Sequence, residues 1–150
     1  MLKLGIPRVA LVSALAAASA LGTFACSTTR GAVPPGAHVE ILQTAKLVLH
    51  GTAAAHPESA NCASGAAAAT PQYLQLNEDM TGNIGLRPIG GVAVLHVQEL
   101  ASNRTWCVMT HGDGAGAGIP GDFPSGVYAI TVEGSHSDAA TPYAVVVERM

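Results

Sequence analysis

The stretch "GVYAITVEGSHSDAATPYAVVVER", residues 126–149, decides the fold class of this chain. Apolar residues recur at every second position in its two halves: Tyr128, Ile130 and Val132, then Tyr143, Val145 and Val147. Successive side chains of a β-strand point to opposite faces, so this period predicts two strands that each bury one face. The polar segment between the two runs predicts a connecting turn.

The same alternation recurs in earlier runs that are separated by turn residues. They are "HVEILQTAKLVLH" (38–50), "YLQLNE" (73–78), "NIGLRP" (83–88), "VAVLHVQEL" (92–100) and "RTWCVMT" (104–110). No run after residue 37 carries a convincing helical period. We therefore predict an all-β domain over residues 37–150, a two-sheet antiparallel β-sandwich of about seven strands, Ig-like or jelly-roll-like.

Two segments interrupt this rhythm. Residues 52–72 are rich in alanine and serine and contain Cys62, and residues 111–126 are rich in glycine. Both exceed the usual connection length of about 4 to 6 residues, and such long connections are either functional or loosely ordered. The sequence therefore predicts two long loops.

The first 25 residues read as a secretory signal. Lys3 and Arg8 give a positive start, and residues 9–22 are apolar and uncharged. This run is too short for a membrane-spanning helix, which needs about 20 residues, and small residues follow it. We expect residues 1–25 to be removed, which leaves five basic residues (7 − 2) against ten acidic ones. A mature chain with a net negative charge lacks the basic surface that is typical of nucleic-acid-binding proteins, so we expect no nucleic-acid partner.

The residues "TFAC", 23–26, resemble the bacterial lipobox, whose cysteine receives diacylglycerol and becomes the mature N-terminus. That resemblance implies a lipoprotein of the cell envelope, attached to the membrane through Cys26 and facing the periplasm or the cell surface. Ser27, which directly follows Cys26, resembles the residue at that position in lipoproteins that are transported to the outer membrane. Residues 26–36 then form a flexible tether of roughly 18 Å. A freely secreted form is the alternative.

The number of cysteines supports a lipoprotein of the cell envelope. An odd count leaves one thiol unpaired in an oxidising compartment. If Cys26 carries lipid, Cys62 and Cys107 are free to form a disulfide. We predict this bridge, which would fasten the alanine-rich segment to a strand.

The run "FPSGVYAITVEGSHSDAATPYAVVVE", residues 123–148, resembles the last hairpin of the bacterial pre-peptidase C-terminal domain. The family positions are held here by Gly126, Tyr128, Ile130, Val132, Tyr143, Val145 and Val147. Taken loosely, the likeness extends back to Tyr73. It implies a secreted β-sandwich with a non-catalytic role outside the cytoplasm.

Four residues are candidates for binding: Trp106, His111, Asp113 and Asp122. Trp106 adjoins Cys107 on one predicted strand, so the two point to opposite faces and either can face the core. If the indole faces outward, it can anchor a partner or a carbohydrate. The spacing of the other three matches neither a calcium loop nor a zinc site, so we expect no metal and no cofactor.

No hydrolase nucleophile motif is present. We therefore expect a non-catalytic binding or structural module with an envelope protein or carbohydrate partner. Two alternatives remain. One is a small metal-dependent or hydrolytic enzyme that uses residues 111–126, and the other is a secreted accessory subunit or inhibitor.

Overall fold

A computed structural model of the chain describes residues 32–55, 61–63, 69–88, 91–112, 114–134 and 141–150. These residues form nine strands and no helix. The strands are β1 (Val39–Ile41), β2 (Lys46–Ala55), β3 (Gln72–Leu76), β4 (Met80–Pro88), β5 (Ala93–Glu99), β6 (Thr105–Met109), β7 (Ala117–Phe123), β8 (Gly126–Gly134) and β9 (Thr141–Arg149). The predicted signal segment and Cys26 lie outside the described residues.

The nine strands form two sheets. Sheet A has the order β1-β3-β8-β5-β6, in which β1 runs parallel to β3 and the other neighbours are antiparallel. Sheet B has the order β2-β9-β4-β7 and is antiparallel throughout. The end of β2 also pairs with β8, where Ala54 lies opposite Glu133, so the two sheets are joined at one corner. The predicted all-β, two-sheet sandwich is confirmed.

The core lies between the sheets and includes many of the alternating positions that the sequence indicated, together with residues such as Phe123 that the sequence placed in a loop. Its largest fully buried side chains include Tyr128, Phe123, Leu74, Leu76, Met80, Ile84, Leu86, Leu95, Ile130 and Val145. Each such side chain contributes roughly 1.5–3 kcal/mol by leaving water. The Tyr128 hydroxyl also donates a 2.6 Å hydrogen bond to the carbonyl oxygen of Pro124. This bond fixes the entry into β8.

The predicted strand over residues 38–50 is two strands in different sheets. β1 belongs to sheet A and β2 to sheet B, and residues 42–45 carry the chain from one to the other. The alternation changes phase at this crossing: Ile41 is 38% exposed and Leu42 only 5%. The Leu42 amide donates to the carbonyl oxygen of Gln75, which fixes the corner. The alternation over residues 38–50, which predicts one strand with Ile41 and Leu49 on the same face, is therefore broken at Leu42.

The prediction of a loop over residues 111–126 is corrected in the same way. Residues 117–123 form β7, which pairs with β4 along its full length. Ile119 and Phe123 enter the core, while Pro120 lies between them on the outward face. Proline is tolerated because β7 is an edge strand, where one side of the backbone has no ladder to join. Residues 52–55 of the predicted alanine-rich loop likewise belong to β2.

Two glycines that face each other across β4 and β7 give a matched test of this packing. A Cβ at Gly82 would collide with the backbone carbonyl oxygen of Glu148, whereas a Cβ at Gly121 would have no atom within 4 Å. We expect Gly82→Ala to lower the free energy of unfolding by about 1–3 kcal/mol, because backbone has to shift. Gly121→Ala is expected to have a smaller effect. Urea denaturation of both variants checks this, and equal losses would contradict the pairing of β4 with β9.

Candidate functional site

One concave surface among the described residues is a groove of about 760 Å³, here called the edge groove. It lies between β1 at the margin of sheet A and β2 at the margin of sheet B. Its lining residues are Pro34, Pro35, Gly36, Ala37, His38, Glu40, Val48, Leu49, His50, Thr70, Pro71, Gln72 and Tyr73. Most of these side chains are apolar. The polar ones belong to His38, Glu40, His50, Thr70 and Gln72. This is the composition of a ligand-binding surface.

One end of the edge groove is formed by a β-turn with the sequence Pro-Pro-Gly-Ala. The amide of Ala37 donates to the carbonyl oxygen of Pro34, and Gly36 has a φ of 82°. Such a turn favours proline at its second position and glycine at its third, where a positive φ is needed. Residues 34–36 were predicted as part of a flexible tether, yet they form an ordered wall of the groove.

The polar groups of the edge groove are held in defined positions. His38 Nε2 lies 2.8 Å from Glu40 Oε1, and Gln72 Nε2 donates a 2.8 Å hydrogen bond to the carbonyl oxygen of His50. The Oε1 atom of Gln72 is buried without a hydrogen-bond partner. Val48 is 38% exposed, which is high for an apolar residue in a strand. The edge groove therefore combines an exposed apolar surface with a hydrogen-bond acceptor, Gln72 Oε1, that accepts no hydrogen bond from the described residues.

Backbone groups are also available along this groove. Within the described part of the chain, β1 pairs only with β3, and residues 46–53 of β2 pair only with β9. The opposite edges of both strands therefore carry unpaired amide and carbonyl groups, apart from the His50 carbonyl that accepts from Gln72 and the Lys46 carbonyl that accepts from Thr44. Such edges are templates for pairing with another strand.

A second concave surface has a volume of about 440 Å³ and is here called the disulfide groove. It lies on the face of sheet A that points away from sheet B. Its lining residues are Cys62, Ala69, Pro71, Tyr73, His96, Val97, Gln98, Leu100, Thr105, Trp106, Cys107, Ala129 and Thr131. The predicted disulfide forms one wall: Cys62 and Cys107 are bridged, with their Cα atoms 5.6 Å apart.

The structure decides between the two orientations left open for Trp106. The indole packs on the core, with its centroid 5.4 Å from the ring of Phe123 and 6.1 Å from that of Tyr128. The guanidinium of Arg104 lies 4.7 Å from the indole centroid. Cys107 consequently points to the outer face of sheet A. The indole closes the margin of the core instead of standing free as a contact surface.

His96 is a residue of the disulfide groove that the sequence analysis missed. In the strand register it lies opposite Cys107 on one side and Thr131 on the other. Its Nε2 atom is buried without a hydrogen-bond partner. Burial lowers the pKa of His96, and the carboxylate of Glu133 offsets part of that effect. Six histidines scattered along the chain gave no signal for this position, because only the strand register brings it to the disulfide.

The lowered pKa of His96 predicts a pH-dependent stability. A histidine with a lower pKa in the folded state binds fewer protons there than in the unfolded state. Its contribution is therefore fully present above the unfolded pKa of 6.5 and falls as the pH drops below that value. We expect His96→Gln to flatten the loss of unfolding free energy between pH 7 and about pH 5. His38→Gln, at an exposed position, is expected to keep the wild-type slope, and identical slopes for both variants would contradict the prediction.

The other candidate residues are not brought together. His111 is exposed in the connection between β6 and β7, whereas Asp122 lies near the far end of β7 and accepts a 2.6 Å hydrogen bond from Thr81 Oγ1. The five positions from residue 117 to residue 122 span roughly 16 Å of extended strand. Asp113 lies outside the described residues. Among the residues that the structure describes, no group of three or more His, Cys, Asp or Glu side chains could hold a metal ion.

Comparison of the chain with protein-family models and with curated proteins finds no match. In the ranges that the structure covers, no helix has the length and apolar character needed to cross a membrane.

Proposed function

We propose that this protein is a non-catalytic lipoprotein of the cell envelope, and that its sandwich binds an extended segment of another envelope protein in the edge groove. The observation that carries the proposal is the edge groove itself. It lies between two strand edges with unpaired backbone groups, and its lining is mostly apolar.

An extended peptide suits this groove better than a compact ligand. Its backbone can pair with the free edge of β1 or β2, which supplies affinity without demanding a particular sequence. Its alternate side chains then contact the apolar lining, where Val48 and Tyr73 lie on opposite sides. Gln72 Oε1 can accept a hydrogen bond from a donor on the peptide.

Membrane attachment fits the position of the groove. Pro34 follows Cys26 by eight residues, and a flexible chain of that length would span roughly 16 Å. Lipid on Cys26 would hold the groove close to the membrane surface, within reach of the periplasmic or surface-exposed segments of membrane proteins. The lipobox resemblance at residues 23–26 and the resemblance to a non-catalytic secreted sandwich both support this role.

The proposal is tested with peptides selected from a random dodecapeptide library against the purified mature protein. We expect selected peptides to bind the wild-type protein and Val48→Glu to weaken their binding at least tenfold. Met109→Glu is the matched control, because Met109 is 40% exposed but lies in β6, outside the groove lining. Binding that is equally strong in Val48→Glu, or equally weak in Met109→Glu, would contradict the proposal.

A further inference from the structure

The outer face of sheet A places three reactive groups side by side. Cys107 and His96 are directly opposite each other on β6 and β5, and Glu133 lies two positions from the His96 partner Thr131 on β8. Opposite residues on one face have Cβ atoms about 4.5–5.5 Å apart, so an imidazole nitrogen can reach the Cys107 sulfur. Both His96 Nε2 and Glu133 Oε1 are buried, and neither atom has a hydrogen-bond partner among the residues that the structure describes.

We propose that the Cys62–Cys107 disulfide is a redox-active site that exchanges with a dithiol of another protein, and that His96 carries the proton of Cys107. This role is separate from peptide binding, although the two grooves adjoin and share Pro71 and Tyr73 in their linings. The group that recognises this disulfide would be a pair of neighbouring thiols of the kind found in dithiol oxidoreductases.

The two sulfur atoms differ in a way that fixes the direction of attack. Cys62 is exposed, whereas Cys107 is half-buried beside His96. An incoming thiolate therefore reaches the Cys62 sulfur and forms a mixed disulfide with it. The Cys62–Cys107 bond breaks, and its electron pair stays on Cys107 as a thiolate. That thiolate takes a proton from solvent by way of the His96 imidazole.

The second thiol of the partner completes the exchange. It loses its proton to solvent, attacks the partner's own sulfur in the mixed disulfide, and releases Cys62 as a thiolate that takes a proton from solvent. The partner dithiol becomes a disulfide, and two electrons and two protons reach Cys62 and Cys107. In the reverse direction, neutral His96 accepts the proton of the Cys107 thiol, and the low pKa caused by burial keeps the imidazole neutral for this step.

A reversible site requires that the domain stay folded in both redox states. Neither cysteine belongs to the hydrophobic core, which is built from the alternating residues of the strands. The strand pairing of β5, β6 and β8 places His96 and Cys107 opposite each other without help from the disulfide. Their juxtaposition therefore survives reduction.

The test uses the mature protein and dithiothreitol as the probe, with peptide-resolved mass spectrometry after alkylation to follow Cys62 and Cys107 separately. We expect His96→Gln to slow reduction at least tenfold, while His38→Gln, an exposed histidine outside this groove, stays within twofold of wild type. A rate for His96→Gln within twofold of wild type would overturn the proposal, and so would loss of the far-ultraviolet β-sheet spectrum on reduction.

A second measurement needs no variant. In the reduced wild-type protein, we expect iodoacetamide to alkylate Cys107 at least tenfold faster in the folded state than in urea, because only the folded state places His96 beside the thiol. An equal or lower rate in the folded protein would overturn the proposal as well.

Discussion

Tyr128→Ala is expected to lower the free energy of unfolding by about 3–5 kcal/mol, the usual range for removing a fully buried aromatic ring. The ring contacts Trp106 and Phe123, whose centroids lie 6.1 and 6.2 Å away, and therefore joins the margins of the two sheets. Urea denaturation followed by Trp106 fluorescence measures the loss.

Tyr128→Phe is the matched control, because it keeps the ring and removes only the hydroxyl that donates to Pro124. We expect a loss of about 0.5–1.5 kcal/mol, the net value of one hydrogen bond. Burial, reinforced by the carboxylate of Glu99, raises the pKa of Tyr128 to about 12, so the hydroxyl remains a donor at ordinary pH. Similar losses for the two variants would contradict the central position of the ring.

The second large effect is expected when the disulfide is removed. The bridge closes a chain segment with a sequence separation of 45 residues. On the chain-entropy model the double variant Cys62→Ser/Cys107→Ser loses up to about 4 kcal/mol of unfolding free energy. A domain with a stability of about 5–15 kcal/mol would be weakened but still folded.

Two measurements check the disulfide prediction. Urea denaturation of the double variant gives the loss of unfolding free energy. Thiol titration of the unfolded, unreduced mature protein is expected to find no reactive cysteine. A loss below about 1 kcal/mol would show that the bridge restrains the unfolded chain little, and two titratable thiols would show that it does not form.

The strands that alternate apolar and polar residues were predictable from sequence. Ile130 and Val145 lie in the core because a period of two places alternate side chains on one face, whatever the tertiary context. The disulfide was predictable because the chain has three cysteines, and lipid attachment at Cys26 would leave two that can pair. These features depend on local pattern or on counting, which a sequence displays directly.

The strand β7 was missed for a physical reason. Gly118, Pro120 and Gly121 dilute its apolar period, and all three are turn residues in most contexts. An edge strand accepts them because only one side of its backbone has to pair, and Asn83 of β4 lies opposite Pro120. The split between β1 and β2 was missed because a phase change at Leu42 is visible only once the two sheets are known.

The grooves were beyond sequence reasoning because distant segments form them. The edge groove combines the turn at Pro34 with β2 and with Gln72, which are far apart in the chain. The pairing of His96 with Cys107 depends on the register of β5 against β6, and a shift by one residue would place the two on opposite faces. Of the site residues that were named from the sequence, Trp106, Cys62 and Cys107 line the disulfide groove.

We propose that a lipid on Cys26 holds this sandwich, with its edge groove, at the membrane. The most direct test is the intact mass of the protein extracted from membranes, combined with sequencing of its N-terminal peptide. We predict a mature chain that begins at Cys26, carries diacylglycerol on that sulfur, and retains the Cys62–Cys107 bridge. A chain that begins at any other residue, or a free thiol at Cys26, would contradict it.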